Sequence, residues 1–179
     1  MLAIIPSATV LGARGLLVQV EVHVSVGLPG VNVVGLPDTA CREGVHRLSA
    51  AFRMAGLEWP AKQKKLVVNL APPGIPKLGS GMDLAIAIGA LVSSDQLPLP
   101  AIEGMAFLGE LGLDGTLRSV PGIVPMVATL AEAPGVHTIV VPAAAHHEAA
   151  VAGAGLVRSA TRLQDLLPQL DGGLPWCDP

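Results

Sequence analysis

The sequence of 179 residues has few aromatic side chains, two cysteines and no long hydrophobic run. With two Phe, two Trp and no Tyr, its core must be built from aliphatic residues, and apolar residues make up 51% of the chain. Two cysteines are too few for a disulfide framework or a zinc site, so no metal site is expected. Uncharged stretches such as residues 119–131 are shorter than the roughly 18 apolar residues needed to cross a bilayer, which argues against a membrane span.

The start of the chain and its charge restrict the class of protein further. The first residues, MLAIIP, carry no basic segment ahead of an apolar one, so a cytoplasmic protein without a secretory signal is expected. A net charge of −3 argues against a chain that coats nucleic acid over its whole surface. The sequence has no P-loop, so no nucleotide cofactor is expected for this chain.

Basic residues are concentrated in one part of the chain. Residues 38–77 contain seven of the eleven Lys and Arg residues against three acidic ones. This asymmetry is typical of a surface for an anionic partner, and it fits equally well a solvated helix face with a lysine-bearing strand entry. The candidates for nucleic-acid binding are Arg42, Arg47, Arg53, Lys62, Lys64, Lys65 and Lys77. Only Phe52 and Trp59 lie nearby in the sequence for base stacking.

The first half of the chain predicts strands followed by a helix. Residues 16–26 alternate between apolar and polar side chains, which is the period of a strand with one buried face. Shorter apolar runs predict two more strands, at residues 2–10 and 31–35. A helix is predicted from Asp38 to about Ala55, with Cys41 in its inward stripe and its basic residues facing outward.

The second half predicts a mixture of the two element types. A buried strand is expected at residues 64–71, and Ser80 and Asp83 have the spacing of a capping box before a buried helix at 84–92. Further strands are predicted at residues 105–111, 116–120, 137–141 and 155–158, and further helices at 122–132, 143–151 and 161–169. The sequence therefore predicts an α+β domain, followed by a tail or linker.

Four ordered motifs resemble the N-terminal domain of the ComM/YifB family, bacterial proteins often labelled magnesium-chelatase-like. They are VGLPD at 34–38, VNLAP at 68–72, DLAIAIG at 83–89 and FLGELGLDGTLR at 107–118. The resemblance implies a fold like the proteolytic domain of Lon, a mixed sheet with packed helices, over residues 1–170. Residues 171–179 would then be a linker toward an AAA+ ATPase module that is absent here.

The resemblance also implies partners. In the full family protein the assembly is a homo-hexameric ring that moves along DNA and drives branch migration, notably during natural transformation. ATP and magnesium are expected only for the ATPase module, so none is expected in this chain. The partner implied for this domain is single-stranded or branched DNA.

The same resemblance bears on a catalytic site. Lon-type peptidases use a serine activated by a lysine, and a nucleophile needs its base within hydrogen-bond reach. The matching positions here hold Gly81, with Ser80 one residue early, and Val124, whereas ComM-type domains commonly keep a Ser where Gly81 stands. No lysine follows Lys77, so the peptidase dyad is expected to be lost.

Three hypotheses follow for the function of the chain. The first is a non-catalytic module that contacts DNA and organises the ring of an AAA+ motor. The second is a purely structural role, in which the domain forms a protein–protein surface within the ring. The third is a residual peptidase that uses Ser80 and Lys77.

Overall fold

A mixed four-stranded sheet is built from the first half of the chain in the computed structural model, which describes residues 1–176. Its strands are β1 (Leu2–Leu11), β2 (Arg14–Ser25), β3 (Gly30–Val34) and β4 (Lys65–Ala71). Their order is β1-β2-β4-β3, with β3 parallel to β4 and the other neighbours antiparallel. The alternation in β2 buries Val18, Val20 and Val22 as predicted, whereas Val26 lies beyond the strand and is 98% exposed.

Helix α1 (Thr39–Met54) begins and ends as the sequence predicts. The Asp38 carboxylate accepts a hydrogen bond from the Cys41 backbone N–H at 2.8 Å, and Gly56 follows the helix with a φ of +72°. The side chain of Cys41 is buried, and burial raises the pKa of its thiol to about 12. Cys41 is therefore a core thiol, as predicted, while Cys177 lies outside the described residues.

Helix α2 (Asp83–Ser93) is buried on all sides and packs on β1 and β2. Gly89 permits this close approach, because a Cβ there would lie 2.4 Å from Cγ2 of Val22. The predicted capping box is wrong, since no side chain caps this helix. The Ser80 hydroxyl donates instead to the Glu110 carboxylate, and Asp83 binds Arg47.

Within residues 1–176, the second half of the chain adds two small sheets and three α-helices. The strands are β5 (Met105–Phe107), β6 (Glu110–Leu111), β7 (Leu117–Arg118), β8 (Thr138–Pro142) and β9 (Val157–Ala160). The helices are α3 (Ile123–Ala131), α4 (His146–Ala152) and α5 (Leu163–Leu170). A parallel sheet has the order β5-β8-β9, and β6 and β7 form a hairpin. The mixture of helices and sheets confirms the α+β class.

One strand predicted in this half is broken in two. The stretch predicted as a strand at 105–111 separates at Gly109, which has a φ of +144°. The Gly109 N–H donates to the Gly81 carbonyl at 2.8 Å, outside any sheet. This hydrogen bond therefore joins the start of the β6–β7 hairpin to the segment that precedes α2.

The core is aliphatic, as the shortage of aromatic residues requires. The main cluster lies between the four-stranded sheet and helices α1 and α2, and a second cluster lies around α3, α4 and the parallel sheet. No helix within residues 1–176 is both long enough and apolar enough to cross a membrane. The predicted tail at 171–179 begins where α5 ends, and its last three residues fall outside the part of the chain that is described.

Candidate functional site

Five of the seven predicted basic residues have exposed side chains. They are Arg42, Arg53, Lys62, Lys64 and Lys65. Arg42 and Arg53 lie near opposite ends of α1, about 16 Å apart along the axis at 1.5 Å per residue. Lys62 ends a short 3-10 helix (Pro60–Lys62), and Lys65 begins β4. Arg53 and Lys62 thus lie together at the C-terminal end of α1, Lys64 and Lys65 follow at the start of β4, and Arg42 is set apart.

Arg47 does not face outward, so that prediction is wrong. Its guanidinium binds Asp83 through Nε at 2.7 Å and through Nη2 at 3.1 Å, and Nη2 also donates to the Ala40 carbonyl. The side chain of Asp83 is 1% exposed. Helices α1 and α2 approach closely at Gly44, because a Cβ at this position would lie 2.5 Å from Oδ1 of Asp83. Arg47 therefore neutralises a buried carboxylate.

Lys77 is also internal, against the expectation of a surface cation. Its side chain is fully buried, Nζ donates to the Pro72 carbonyl, and burial lowers the pKa of the amine. Its backbone lies beside the start of α1, where it bonds Leu36 and Asp38. The segment is held further by Asp38, whose carboxylate accepts from the Gly79 N–H at 2.8 Å. Lys77 thus anchors a loop and cannot meet a ligand at the surface.

A groove of about 410 Å³ lies between the last turns of α1 and the turn that precedes β4. Its lining residues, which define the basic groove, are Ser49, Arg53, Leu57, Glu58, Trp59 and Lys62. The groove brings together two of the predicted cations and the one nearby indole. Sequence reasoning named Trp59 for stacking but missed the contribution of Ser49, for which the helical spacing to Arg53 is the available signal.

Trp59 is fixed in the wall of the basic groove. Its ring meets Phe52 edge to face, with the ring centroids 5.0 Å apart and the planes at 70°. The main chain of Glu58 bonds the Gln96 side chain twice, through its N–H at 3.0 Å and its carbonyl at 2.8 Å. The Trp59 carbonyl accepts from the Lys62 N–H at 3.2 Å. The turn is therefore held on both sides of the indole.

The charge of this surface is mostly positive. Glu58 is the one carboxylate of the basic groove, against Arg53 and Lys62. Lys64 lines a small neighbouring cavity of about 40 Å³ that Glu58 also lines, and Lys65 follows it in the chain. Four cations with exposed side chains thus extend from the end of α1 to the start of β4. Such a surface can bind a polyanion and can also stack an aromatic ligand.

The positions that match the Lon dyad lie in a different region. Gly81 is buried before α2 and lines a largely apolar groove of about 160 Å³ that includes Leu78 and Met126. Val124 is half-buried on α3 and packs on the second apolar cluster. Ser80 donates to Glu110, which pairs with Arg118 at 3.8 Å, so the partner of this hydroxyl is a carboxylate. The loss of peptidase activity stays a prediction.

No metal centre is suggested by the side chains in residues 1–176. They contain no group of three or more His, Cys, Asp or Glu residues that could hold a metal ion.

Comparison with known proteins gives consistent matches. The family model described as subunit ChlI of Mg-chelatase matches residues 20–145. The chain is 43% identical to the uncharacterized protein YifB of Salmonella typhimurium, over 69% of this chain and 24% of that protein. It is also 43% identical to the competence protein ComM of Haemophilus influenzae, over 70% of this chain and 24% of ComM. An uncharacterized protein of Mycobacterium tuberculosis is 38% identical over 93% of this chain and 32% of its own length. The chain thus spans about a quarter to a third of the curated relatives it matches.

Proposed function

The chain belongs to the ComM/YifB family, and on this premise we propose that it is the non-catalytic N-terminal domain of a ComM-like AAA+ branch-migration helicase. In this proposal it contacts DNA and helps to organise a hexameric ring in the cytoplasm. The full protein acts in DNA recombination and natural transformation, and ATP and magnesium serve its ATPase module. The name of the Haemophilus influenzae relative, a competence protein, supports this role.

The observation that carries the proposal is the run of exposed cations from the end of α1 to the start of β4. Arg53, Lys62, Lys64 and Lys65 can each neutralise a backbone phosphate, because their side chains are exposed. Each phosphate contact releases condensed counterions, which makes the logarithm of the affinity fall with the logarithm of the salt concentration. On a single strand, each neutralised phosphate contributes about −0.7 to this slope, so four contacts give a slope of about −3.

Salt-dependent DNA binding tests this assignment. Fluorescence anisotropy with single-stranded and branched oligonucleotides gives the affinity of the 179-residue chain at several salt concentrations. Replacement of Lys62, Lys64 and Lys65 by Gln should reduce the slope to about −0.7, because one contact remains. Lys62→Gln and Arg14→Gln each remove one positive charge from an exposed side chain. Arg14 lies at the start of β2, so Arg14→Gln is the matched control for Lys62→Gln. An unchanged low-salt affinity of the triple variant contradicts the assignment.

The absence of peptidase chemistry belongs to the same proposal. In a Ser–Lys dyad the lysine amine must accept the proton of the serine hydroxyl. Here the Ser80 hydroxyl donates to the Glu110 carboxylate, which also pairs with Arg118. The amine of Lys77 donates to the Pro72 carbonyl. Both groups of the remaining Ser–Lys pair are thus engaged elsewhere, which supports a non-catalytic domain.

A protein–protein surface is the second candidate function, and exposed apolar residues favour it. Val26 and Leu28, in the loop between β2 and β3, are 98% and 88% exposed, and Leu36 beyond the edge strand β3 is 53% exposed. Light scattering of the chain with and without DNA separates the two candidates. Oligomers that form equally with or without DNA favour the scaffold, whereas DNA binding with the predicted slope favours the first proposal.

A further inference from the structure

The basic groove has more room and more kinds of chemistry than phosphate contacts require. Its volume of about 410 Å³ lies within the roughly 300–1,000 Å³ of small-molecule sites. It offers an indole, two cations, a carboxylate and a hydroxyl from residues that lie close together on the surface. A duplex could use only the cations, because its bases are stacked and paired inside the helix.

The indole is held in a fixed orientation. Trp59 is half-buried, and its contact with Phe52 orients the ring before any ligand arrives. The Glu58 main chain is bonded to Gln96 on one side, and the Lys62 N–H bonds the Trp59 carbonyl on the other. Little conformational freedom is therefore lost when a flat ring stacks on this side chain.

The remaining lining groups suit the other parts of a nucleotide. Arg53 and Lys62 carry the positive charge that a phosphate on either side of a base requires. The Glu58 carboxylate and the Ser49 hydroxyl can accept hydrogen bonds from the exocyclic amine of a base. The carboxylate disfavours a bare polyanion here and is favourable only beside a hydrogen-bond donor.

We propose that the basic groove holds one unpaired base of single-stranded DNA on Trp59, with the flanking phosphates on Arg53 and Lys62. This inference rests on the proposed function and adds to it a preference for single strands over duplex. The preference arises because only an unpaired strand can place a base against the indole. Stacking on one aromatic side chain corresponds to about a 5- to 150-fold gain in affinity.

Tryptophan fluorescence provides a direct test. The chain has two Trp residues and no Tyr, so a Trp176→Phe variant of the full chain leaves Trp59 as the only strong emitter. A short single-stranded oligonucleotide should quench this emission and bind about 5- to 150-fold more tightly than an abasic strand of equal length and charge. A duplex of the same sequence should bind without quenching.

A second variant checks the origin of the effect. Trp59→Leu keeps an apolar side chain against Phe52, and it should remove the advantage of the base-bearing strand over the abasic strand. Circular dichroism confirms that the variant folds, and if it does not, the comparison of the two strands on the Trp176→Phe chain decides alone. Equal affinity for the two strands without quenching overturns this inference and leaves DNA contact standing. Failure of all three probes to bind at low salt overturns the proposed function itself.

Discussion

Asp83 offers the sharpest test of the buried electrostatics, because its carboxylate is 1% exposed at the start of α2. Burial raises the pKa of this group from 3.8 to about 6, although hydrogen bonds from Arg47 and from the Leu111 N–H oppose the shift. The perturbation is Asp83→Asn, which keeps the shape and one of the two acceptor oxygens but removes the titration. With the amide oxygen in place of Oδ2, Arg47 Nε and the Leu111 N–H keep their acceptor, whereas Arg47 Nη2 loses its acceptor on this side chain at every pH.

The sign of the effect follows from the two pKa values. Between pH 3.8 and about 6 the folded protein holds a proton on Asp83 that the unfolded chain has released. The free energy of unfolding therefore falls as the pH rises through this window, and it is flat with respect to this group outside it. A shift of about two units at 1.36 kcal/mol each gives a loss of ~3 kcal/mol between pH 4 and pH 7.

Urea unfolding of the full chain, followed by circular dichroism between pH 4 and pH 7.5, measures this loss. The unfolding free energy of the original chain minus that of Asp83→Asn should fall by ~3 kcal/mol as the pH rises across the window, because the other carboxylates cancel. Asp114→Asn is a control of opposite sign, since hydrogen bonds from Thr116 lower the pKa of the exposed Asp114. Parallel pH profiles for the original chain and Asp83→Asn would refute the reasoning.

Two further predictions concern packing and catalysis. Gly89→Ala should lower the free energy of unfolding by roughly 1–3 kcal/mol, because its Cβ would lie 2.4 Å from Cγ2 of Val22 in a close-packed interface. Gly81→Ala is the matched control, because its Cβ would lie 3.3 Å from Cγ2 of Val120. The midpoint of thermal unfolding should fall less for Gly81→Ala than for Gly89→Ala. Equal midpoints for the two variants contradict the close packing at Gly89. The chain should hydrolyse no fluorogenic peptide above the buffer rate, and turnover that Ser80→Ala abolishes contradicts the loss of the dyad.

The parts of the fold that the sequence predicts well depend on local patterns. The alternation of β2 identifies its buried face at Val18, Val20 and Val22, because side chains on a strand point alternately to its two faces. The start of α1 follows from Asp38, whose carboxylate caps a backbone N–H only three residues away. The ComM/YifB resemblance, based on four ordered motifs, is confirmed by the family and relative matches.

Two of the corrections, those of Arg47 and of the capping box, concern residues whose partners are distant in sequence. Arg47 lies on the predicted helix, but its partner Asp83 is 36 residues away, and no period indicates what lies opposite a helix face. The capping box failed for the same reason, because Glu110 competes for the Ser80 hydroxyl. A cation in the sequence therefore predicts a surface charge only where no buried carboxylate or carbonyl meets it.

The basic groove was predictable only in its components. Arg53, Trp59 and Lys62 are close in sequence, yet their convergence requires the end of α1 and the turn before β4 to meet around Phe52. The contribution of Gln96, which holds Glu58 from a segment beyond α2, has no counterpart in the local pattern. The sequence thus identified the lining residues that are charged and exposed and missed those that act through contacts, and their role in binding stays a prediction.

Helix α1 links the buried polar cluster to the proposed DNA surface, which changes how substitutions must be interpreted. Asp38 caps its first turn and anchors the loop before α2, and Arg47, near its middle, neutralises Asp83. Its last turns carry Phe52 and Arg53, which support and line the basic groove. Loss of Arg47 leaves a buried carboxylate without its partner, at a cost of about 3–5 kcal/mol. A weaker DNA affinity of an Arg47 variant would therefore report a disturbed helix, whereas the same loss in a stably folded Lys62 variant reports a phosphate contact.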